Sequence, residues 1–474
     1  MRPNSRTNHR TILSEPGSGA PLSTTEETMS RERKRGNWFG RATWALLSGM
    51  FLSTGFGCKD ALKVTNPQSF ATELLDNARI LPAVANGVEG TLQQNYDLTV
   101  VYTGLLSDEL EDSSTWINWA NMSAGRFGPG SQDDQGANGP HAQIGLLRTR
   151  FAAQDAAARI TRVLKGDAAT SPLMAQVKTA EAWADLYLAM VFCESPLVAN
   201  GPAAPDSAVY RQALTKLTAA ISLANAAGAG ANAVKNWALA GRARTNLFLG
   251  NFDAAAADAA AVPPDFVKQA LFSTNSSTSF AGNQLNQNRN RSGTLRRAWW
   301  PMVDTTSNGQ VPPPDQFVKD PWSMQDDPRM VVLHPRGRLG VNNQTLSYSI
   351  QKYKDYTAPE TMTSKAEMNL IEAEVFWRKG DLPSAITKLN IGRTAAGLPP
   401  FAMPLSADDV FQRLLSERFA QLFIEGHRLT DLDRFNLITA RLGAGRARKY
   451  QMSQVEIVNN PSITPGDQKC PGKS

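Results

Sequence analysis

Histidine occurs only four times in these 474 residues and cysteine three times, which leaves little material for metal ligation or thiol chemistry. His9, His141, His334 and His427 are widely separated, and Cys58, Cys193 and Cys470 form no paired Cys-x-x-Cys. The short motifs of common enzymes are missing too: there is no Gly-x-Ser-x-Gly elbow, no phosphate-binding loop and no His-Glu-x-x-His. No catalytic residue, metal or cofactor is expected. The longest apolar stretch, residues 42–56, is shorter than the ~20 residues of a membrane-spanning helix. Excess charge is also scarce. The formal net charge is +6, and residues 1–57 hold eight Lys/Arg against four Asp/Glu, leaving 41 basic and 39 acidic residues in the remainder. A near-neutral body with its basic excess in a leader argues against nucleic-acid binding.

That leader has an internal order. Residues 1–28 are rich in Ser, Thr, Gly and Pro without a helical pattern and are expected to be a disordered leader or an over-extended gene start. From Met29 onward a basic stretch, RERKRGNWFGR, precedes the apolar ATWALLSGMFLSTGF, then Gly57 and Cys58. Basic, apolar, small, cysteine is the order of a lipoprotein signal (29–57), with Cys58 as the acylated first residue of a mature chain 58–474. Gly55 stands where such signals usually carry an aliphatic residue. If Cys58 carries lipid, two cysteines remain. Cys193 and Cys470 then form either one disulfide, which an exported protein permits, or two free thiols, with Cys193 a small buried apolar residue.

Beyond about residue 66 the pattern is helical. Apolar positions recur at three- and four-residue spacing over 68–91, 148–165, 174–193 and 205–227. Residues 236–260 and 366–390 echo each other at a shift of 130: Ala243 meets Ala373, Leu247 meets Trp377, Gly250 meets Gly380 and Ala255 meets Ala385. Each reads as helix, Gly turn, helix, in the manner of a tetratricopeptide repeat. The expected fold is all-α: tetratricopeptide-like helical hairpins stacked into a curved scaffold, with loop-rich insertions at about 111–147 and 264–364.

The insertions are rich in Gly, Pro, Asn, Ser and Gln, and they carry scattered aromatics. Long loops of this kind are functional or disordered, and the aromatics argue for function. Trp116, Trp119, Trp299, Trp300, Trp322 and Tyr353 are candidate ligand contacts, because flat rings match the apolar C–H faces of sugars. Core packing is the competing role for each, above all for the adjacent Trp299 and Trp300. Asp108, Glu109, Glu111 and Asp112 form an acidic cluster, expected to be a solvated face rather than a glycosidase pair or calcium site.

Residues 417–435 read ERFAQLFIEGHRLTDLDRF. Glu417, Arg418, Leu422, Glu425, Gly426, Arg428, Asp431, Leu432 and Arg434 resemble the signature of the SusD/RagB family. The opening CKDALKVTNPQSF, the Ala-rich 179–196, Asp327-Pro328-Arg329 and the closing 452–461 resemble further family segments in the same order, without the usual Pro-Ile-Pro run near the end. The resemblance implies a divergent, non-catalytic, lipid-anchored protein exposed at the outer-membrane surface. Such a protein captures glycans or peptides for a SusC-like TonB-dependent transporter. The signature's acids and bases, at helical spacing, are expected to form structural ion pairs. Two other readings stay open: a cell-envelope scaffold that holds protein partners on its helical repeats, and an envelope hydrolase.

Overall fold

A computed structural model describes residues 72–125, 142–273, 293–303, 316–334 and 337–467. The leader, the signal segment, Cys58 and Cys470 lie outside the described residues. Cys193, almost fully buried, is disulfide-bonded.

Among the described residues eight helices of 14 residues or more build the body: α1 (Leu81–Leu106), α3 (Ala142–Leu164), α4 (Pro172–Val191), α5 (Asp206–Ala227), α6 (Asn232–Phe248), α8 (Lys365–Arg378), α9 (Leu382–Ala395) and α10 (Ala407–Gln421). Shorter ones are α2 (Ile117–Ala124), α7 (Phe252–Ala261), α11 (Arg428–Arg434), α12 (Ile438–Leu442) and α13 (Gln454–Asn459). Among the described residues no helix is long and apolar enough to cross a membrane.

Helix α4 is the hub. Ser171 caps it by accepting from the Leu173 N–H, and Pro172 occupies its first position, where no N–H is needed. Its apolar residues suggested one buried side, yet nearly the whole helix is buried because α1, α3, α5 and α6 all pack on it. Ala175, Ala180, Ala182, Ala184 and Ala189 let those neighbours come close. The acids caught inside are neutralised. Asp185 meets Arg150 at 2.6 Å and Lys216 at 2.7 Å, and Glu181 meets Lys216 at 2.8 Å and Lys178 at 2.9 Å.

The echo at a shift of 130 is a true structural repeat. In the turn between α6 and α7, the Asn251 N–H reaches back to the Asn246 carbonyl and the Gly250 N–H to Leu247. Between α8 and α9, Asp381 reaches Phe376 and Gly380 reaches Trp377, the same bonds at the same offset. This is a Schellman C-cap, and it needs left-handed backbone, which Gly250 (φ 80°) and Gly380 (φ 77°) supply. The two hairpins are far apart in sequence but adjacent in space, since α7 packs against α8.

The insertions hold short strands that tie distant segments together. In the first, β1 (Leu110–Asp112) pairs antiparallel with β5 (Gly293–Leu295) of the second. Helix α2 follows β1 and ends at left-handed Gly125. In the second, β4 (Val267–Ala270) pairs with β9 (Glu360–Ser364), while β6 (Gln316–Lys319), β7 (Asp326–Leu333) and β8 (Ser349–Ile350) form a three-stranded sheet. A further pair, β2 (Glu194–Pro196) and β3 (Ala203–Pro205), joins α4 to α5.

Candidate functional site

The signature residues spread outward and hold separate elements together. Glu417 accepts from Arg393 of α9 and Arg329 of β7, both at 2.7 Å. Arg329 also pairs with Asp327, so the Asp-Pro-Arg segment docks on the signature. Arg418 makes a two-point contact with Asp431 at 2.8 and 2.9 Å. Arg434 bridges Asp431 and Glu374 of α8. Arg428 crosses to Asp108. Lys352 donates to Glu425 and to the Phe423 carbonyl, both at 2.7 Å. Gly426 (φ 77°) turns the chain from α10 into α11 against Val100 and Thr103 of α1.

The acidic cluster is corrected by this arrangement: it is not a solvated face. Asp108, Glu109 and Asp112 are buried, and each has its own partner. Asp108 takes Arg428. Glu109 accepts the Ile424 N–H at 2.8 Å. Asp112 accepts the Ser114 hydroxyl at 2.6 Å. Glu111 pairs with Arg297. The alternation of β1 explains part of the dispersal, since Glu111 and Asp112 point to opposite faces of the strand. Among the described residues, no group of three or more His, Cys, Asp or Glu could hold a metal ion.

The aromatic candidates do not converge on one surface. Tyr353 is corrected outright: it is 4% exposed and its hydroxyl donates to the Ile424 carbonyl at 3.1 Å, so no ring face is free. Trp299 stacks on Phe419 (centroids 4.1 Å apart, planes at 14°) and donates to the Asp108 carbonyl at 2.8 Å. Trp300 stacks on Tyr348, whose ring also lies against His334 at 3.9 Å. Both are half-buried; Trp299 joins the second insertion to the body, while Trp300 packs within the insertion and donates to the Leu295 carbonyl at 2.6 Å. Trp322 is 39% exposed, edge-on to Phe401, with the Arg413 guanidinium 4.2 Å above its ring. Trp116 and Trp119 differ from the others. Trp116 stands at the N-cap of α2, 58% exposed, and is held by edge contact with half-buried Trp119, with centroids 5.9 Å apart and planes at 72°. A ring that is fixed yet exposed is the feature a flat ligand needs.

Around this helix the structure adds residues that the sequence did not single out. Ala120, Ser123 and Ala124 of α2, Glu111 and Asp112 of β1, Arg296 and Arg297 after β5, Asn342, and Arg441 and Arg446 line one open depression of about 500 Å³. The run RLGAGRARKY, basic with no acid, was the available signal for the last two.

Residues 341–466, which contain the signature, match the sequence profile of the SusD family. Over this segment the chain is similar to the SusD family. Solved SusD-type structures share its fold at low identity. A SusD superfamily protein from Bacteroides vulgatus is 15% identical, with 81% of this chain and 98% of that one covered and a TM-score of 0.57. A SusD-like protein from Bacteroides fragilis is 13% identical, with 83% and 98% covered and a TM-score of 0.58. A laminarin-binding SusD-like protein is 16% identical, with 80% and 99% covered and a TM-score of 0.52. No curated protein sequence matches the chain.

Proposed function

We propose that this protein is a SusD-type surface lipoprotein, anchored through Cys58 after removal of residues 29–57, that binds oligosaccharide on α2 and passes it to a SusC-like TonB-dependent outer-membrane transporter. The observation that carries the binding reading is Trp116: an exposed indole held rigid by Trp119 at the start of a helix. Such a ring gives a large contact area to the C–H face of a sugar at little entropic cost. A relative that binds laminarin supports a saccharide rather than a peptide. The disulfide at buried Cys193 agrees with export to an oxidising compartment. Trp322, partly covered by Arg413, is a secondary contact at most.

The test has two parts. The protein is purified from outer membranes in mild detergent, and its mature N-terminus and co-purifying proteins are identified by mass spectrometry. Diacylated Cys58 and a stoichiometric TonB-dependent transporter are expected. Separately, binding to a panel of oligosaccharides that includes laminarin fragments is measured by calorimetry. An intact, unmodified Cys58 with soluble periplasmic partners and no saccharide binding would overturn the reading in favour of an envelope scaffold.

A further inference from the structure

The depression beside α2 departs from how this fold handles arginine. Elsewhere buried guanidinium groups meet carboxylates: Arg150 meets Asp185, Arg244 meets Glu367, Arg393 meets Asp320, Arg418 meets Asp431 and Arg428 meets Asp108. That is the usual way to offset the loss of hydration around a charge.

Two arginines on the depression, Arg296 and Arg441, depart from that rule. Arg296 is half-buried and donates to carbonyls instead, at 2.7 Å to Ser123 and 3.2 Å to Leu110. Among the described residues it has no carboxylate at ion-pair distance. Burial, the main cause, pushes its guanidinium below the usual range despite the attraction of Glu111, and the charge of Arg297 acts in the same direction as burial. Arg446 donates to the same Ser123 carbonyl at 2.7 Å, so two guanidinium groups converge on one oxygen. Arg441 is exposed and likewise has no ion pair among the described residues. Of the two carboxylates on the lining, Glu111 is taken by Arg297, and Asp112 is turned to Ser114.

The position matters as much as the charge. Ala120 lies four residues after Trp116, and Ser123 and Ala124 lie seven and eight after it, so all share one side of α2. One turn is a rise of about 5.4 Å. A saccharide chain that stacks on Trp116 and runs along this side of α2 would reach the depression. The lining at this wall is two alanines and a serine, beside half-buried Arg296 and exposed Arg441, with Arg446 buried behind them.

We infer that the depression lined by Arg296, Arg441 and Arg446 is the selectivity pocket for an anionic substituent, a uronate carboxylate or a sulfate ester, on the saccharide held by Trp116. The inference rests on the saccharide reading above and adds the ligand's chemical class. Planar guanidinium groups give two-point hydrogen bonds to both oxyanions, and partial burial strengthens those bonds. An entering oxyanion also supplies the contact ion pair that Arg296 and Arg441 lack among the described residues.

Calorimetry with four probes tests this: an oligogalacturonide, its methyl-esterified neutral form, a sulfated galactan oligosaccharide and its desulfated form. Wild-type protein is expected to bind at least one acidic member about tenfold more tightly than its neutral counterpart, corresponding to one charge-assisted contact. Which acidic member wins identifies the substituent. Arg441→Gln, at an exposed position, and Arg296→Lys should each bring that ratio close to one. Circular dichroism checks that both variants fold, and Arg441→Gln decides if Arg296→Lys does not. Equal affinity for acidic and neutral forms overturns the inference while leaving saccharide binding at Trp116 intact. Binding of none of the four, or of an acidic peptide only, overturns the inference together with the saccharide reading.

Discussion

Arg428 and Asp108 meet across 320 residues of chain in a buried two-point ion pair, Nε to Oδ1 at 2.6 Å and Nη2 to Oδ2 at 2.8 Å. The pair joins the start of α11 to the end of α1. The backbone around Asp108 is used as well: its carbonyl accepts from Trp299, and the next residue, Glu109, receives the Ile424 N–H. Removing one partner strands a charge in an apolar interior. Asp108→Asn is expected to lower unfolding free energy by about 3–5 kcal/mol, and the double variant Asp108→Leu/Arg428→Met is expected to recover most of that loss. Urea titrations of the three proteins measure it. A single variant as stable as wild type would show that the pair is not fully desolvated.

Glu109 gives a pH dependence with a definite sign. Burial, helped by the charge of Asp108, pushes its carboxyl up to about 8, although the Ile424 N–H, Arg428 and Lys352 all favour the charged form. The unfolded chain releases this proton near the ordinary value of 4.5. Between these two values the folded state holds the extra proton, so stability falls as pH rises, by up to ~1.4 kcal/mol per pH unit. The decline levels off above the folded value. Glu109→Gln removes this contribution while its amide oxygen can still accept from Ile424. The variant should melt several degrees above wild type at pH 8.5 and close to it at pH 4.5. Buried Glu360 and Glu425 are also raised, mainly by burial, so the difference between variant and wild type is the quantity to read by calorimetry. Parallel melting curves at every pH would remove Glu109 from the account.

Trp116 and Tyr353 separate binding from folding. Trp116→Ala removes an exposed ring whose loss leaves no cavity in the core, so the melting temperature should stay within a degree or two while saccharide affinity falls at least tenfold. Tyr353→Phe should do the reverse. It deletes the bond to Ile424 and should cost about 1 kcal/mol of stability with affinity unchanged. A Trp116 variant that loses both would assign that ring to the core.

The helices were legible because period 3.6 is written locally, and the repeat was legible because Gly250 and Gly380 mark identical turns. The signature's ion pairing was legible in kind, since acids and bases stand at helical spacing, but its partners were not. Asp108, Glu374, Arg393, Arg329 and Lys352 lie outside the motif, and nothing local names them. The same distance defeated the reading of Asp108 and Glu109, where neighbouring acids look solvated until α11 and the Ile424 turn cover them. Three-residue strands paired across 181 to 185 positions, as β1 is with β5, leave almost no alternation to see. Tyr353 and Trp116 have similar contexts in sequence, and only burial separates them.

The closeness of the central helices can be tested at one glycine. An added Cβ at Gly241 in α6 would lie 2.9 Å from Trp183 Cε2, Trp183 Nε1 and Leu217 Cδ2, so α4, α5 and α6 meet at this atom's place. Trp183 has little freedom to yield. It is fully buried, stacks on Trp237 at 6.1 Å, donates to the Trp237 carbonyl at 3.2 Å and carries the Arg244 guanidinium 4.7 Å over its ring. Arg244 is in turn fixed to Glu367 by two bonds of 2.7 Å. Gly241→Ala is therefore expected to lose about 1–3 kcal/mol through overpacking, against a gain in helix propensity of about 1 kcal/mol. Gly87, exposed in the interior of α1 with nothing within 4 Å of its added Cβ, is the matched control. Gly87→Ala meets no neighbour and should stabilise by up to ~1 kcal/mol. Thermal unfolding of the two variants should thus move in opposite directions. A shift of the same sign in both would mean that Trp183 yields without loss, and that the small residues of α4 and α6 do not set the helix spacing.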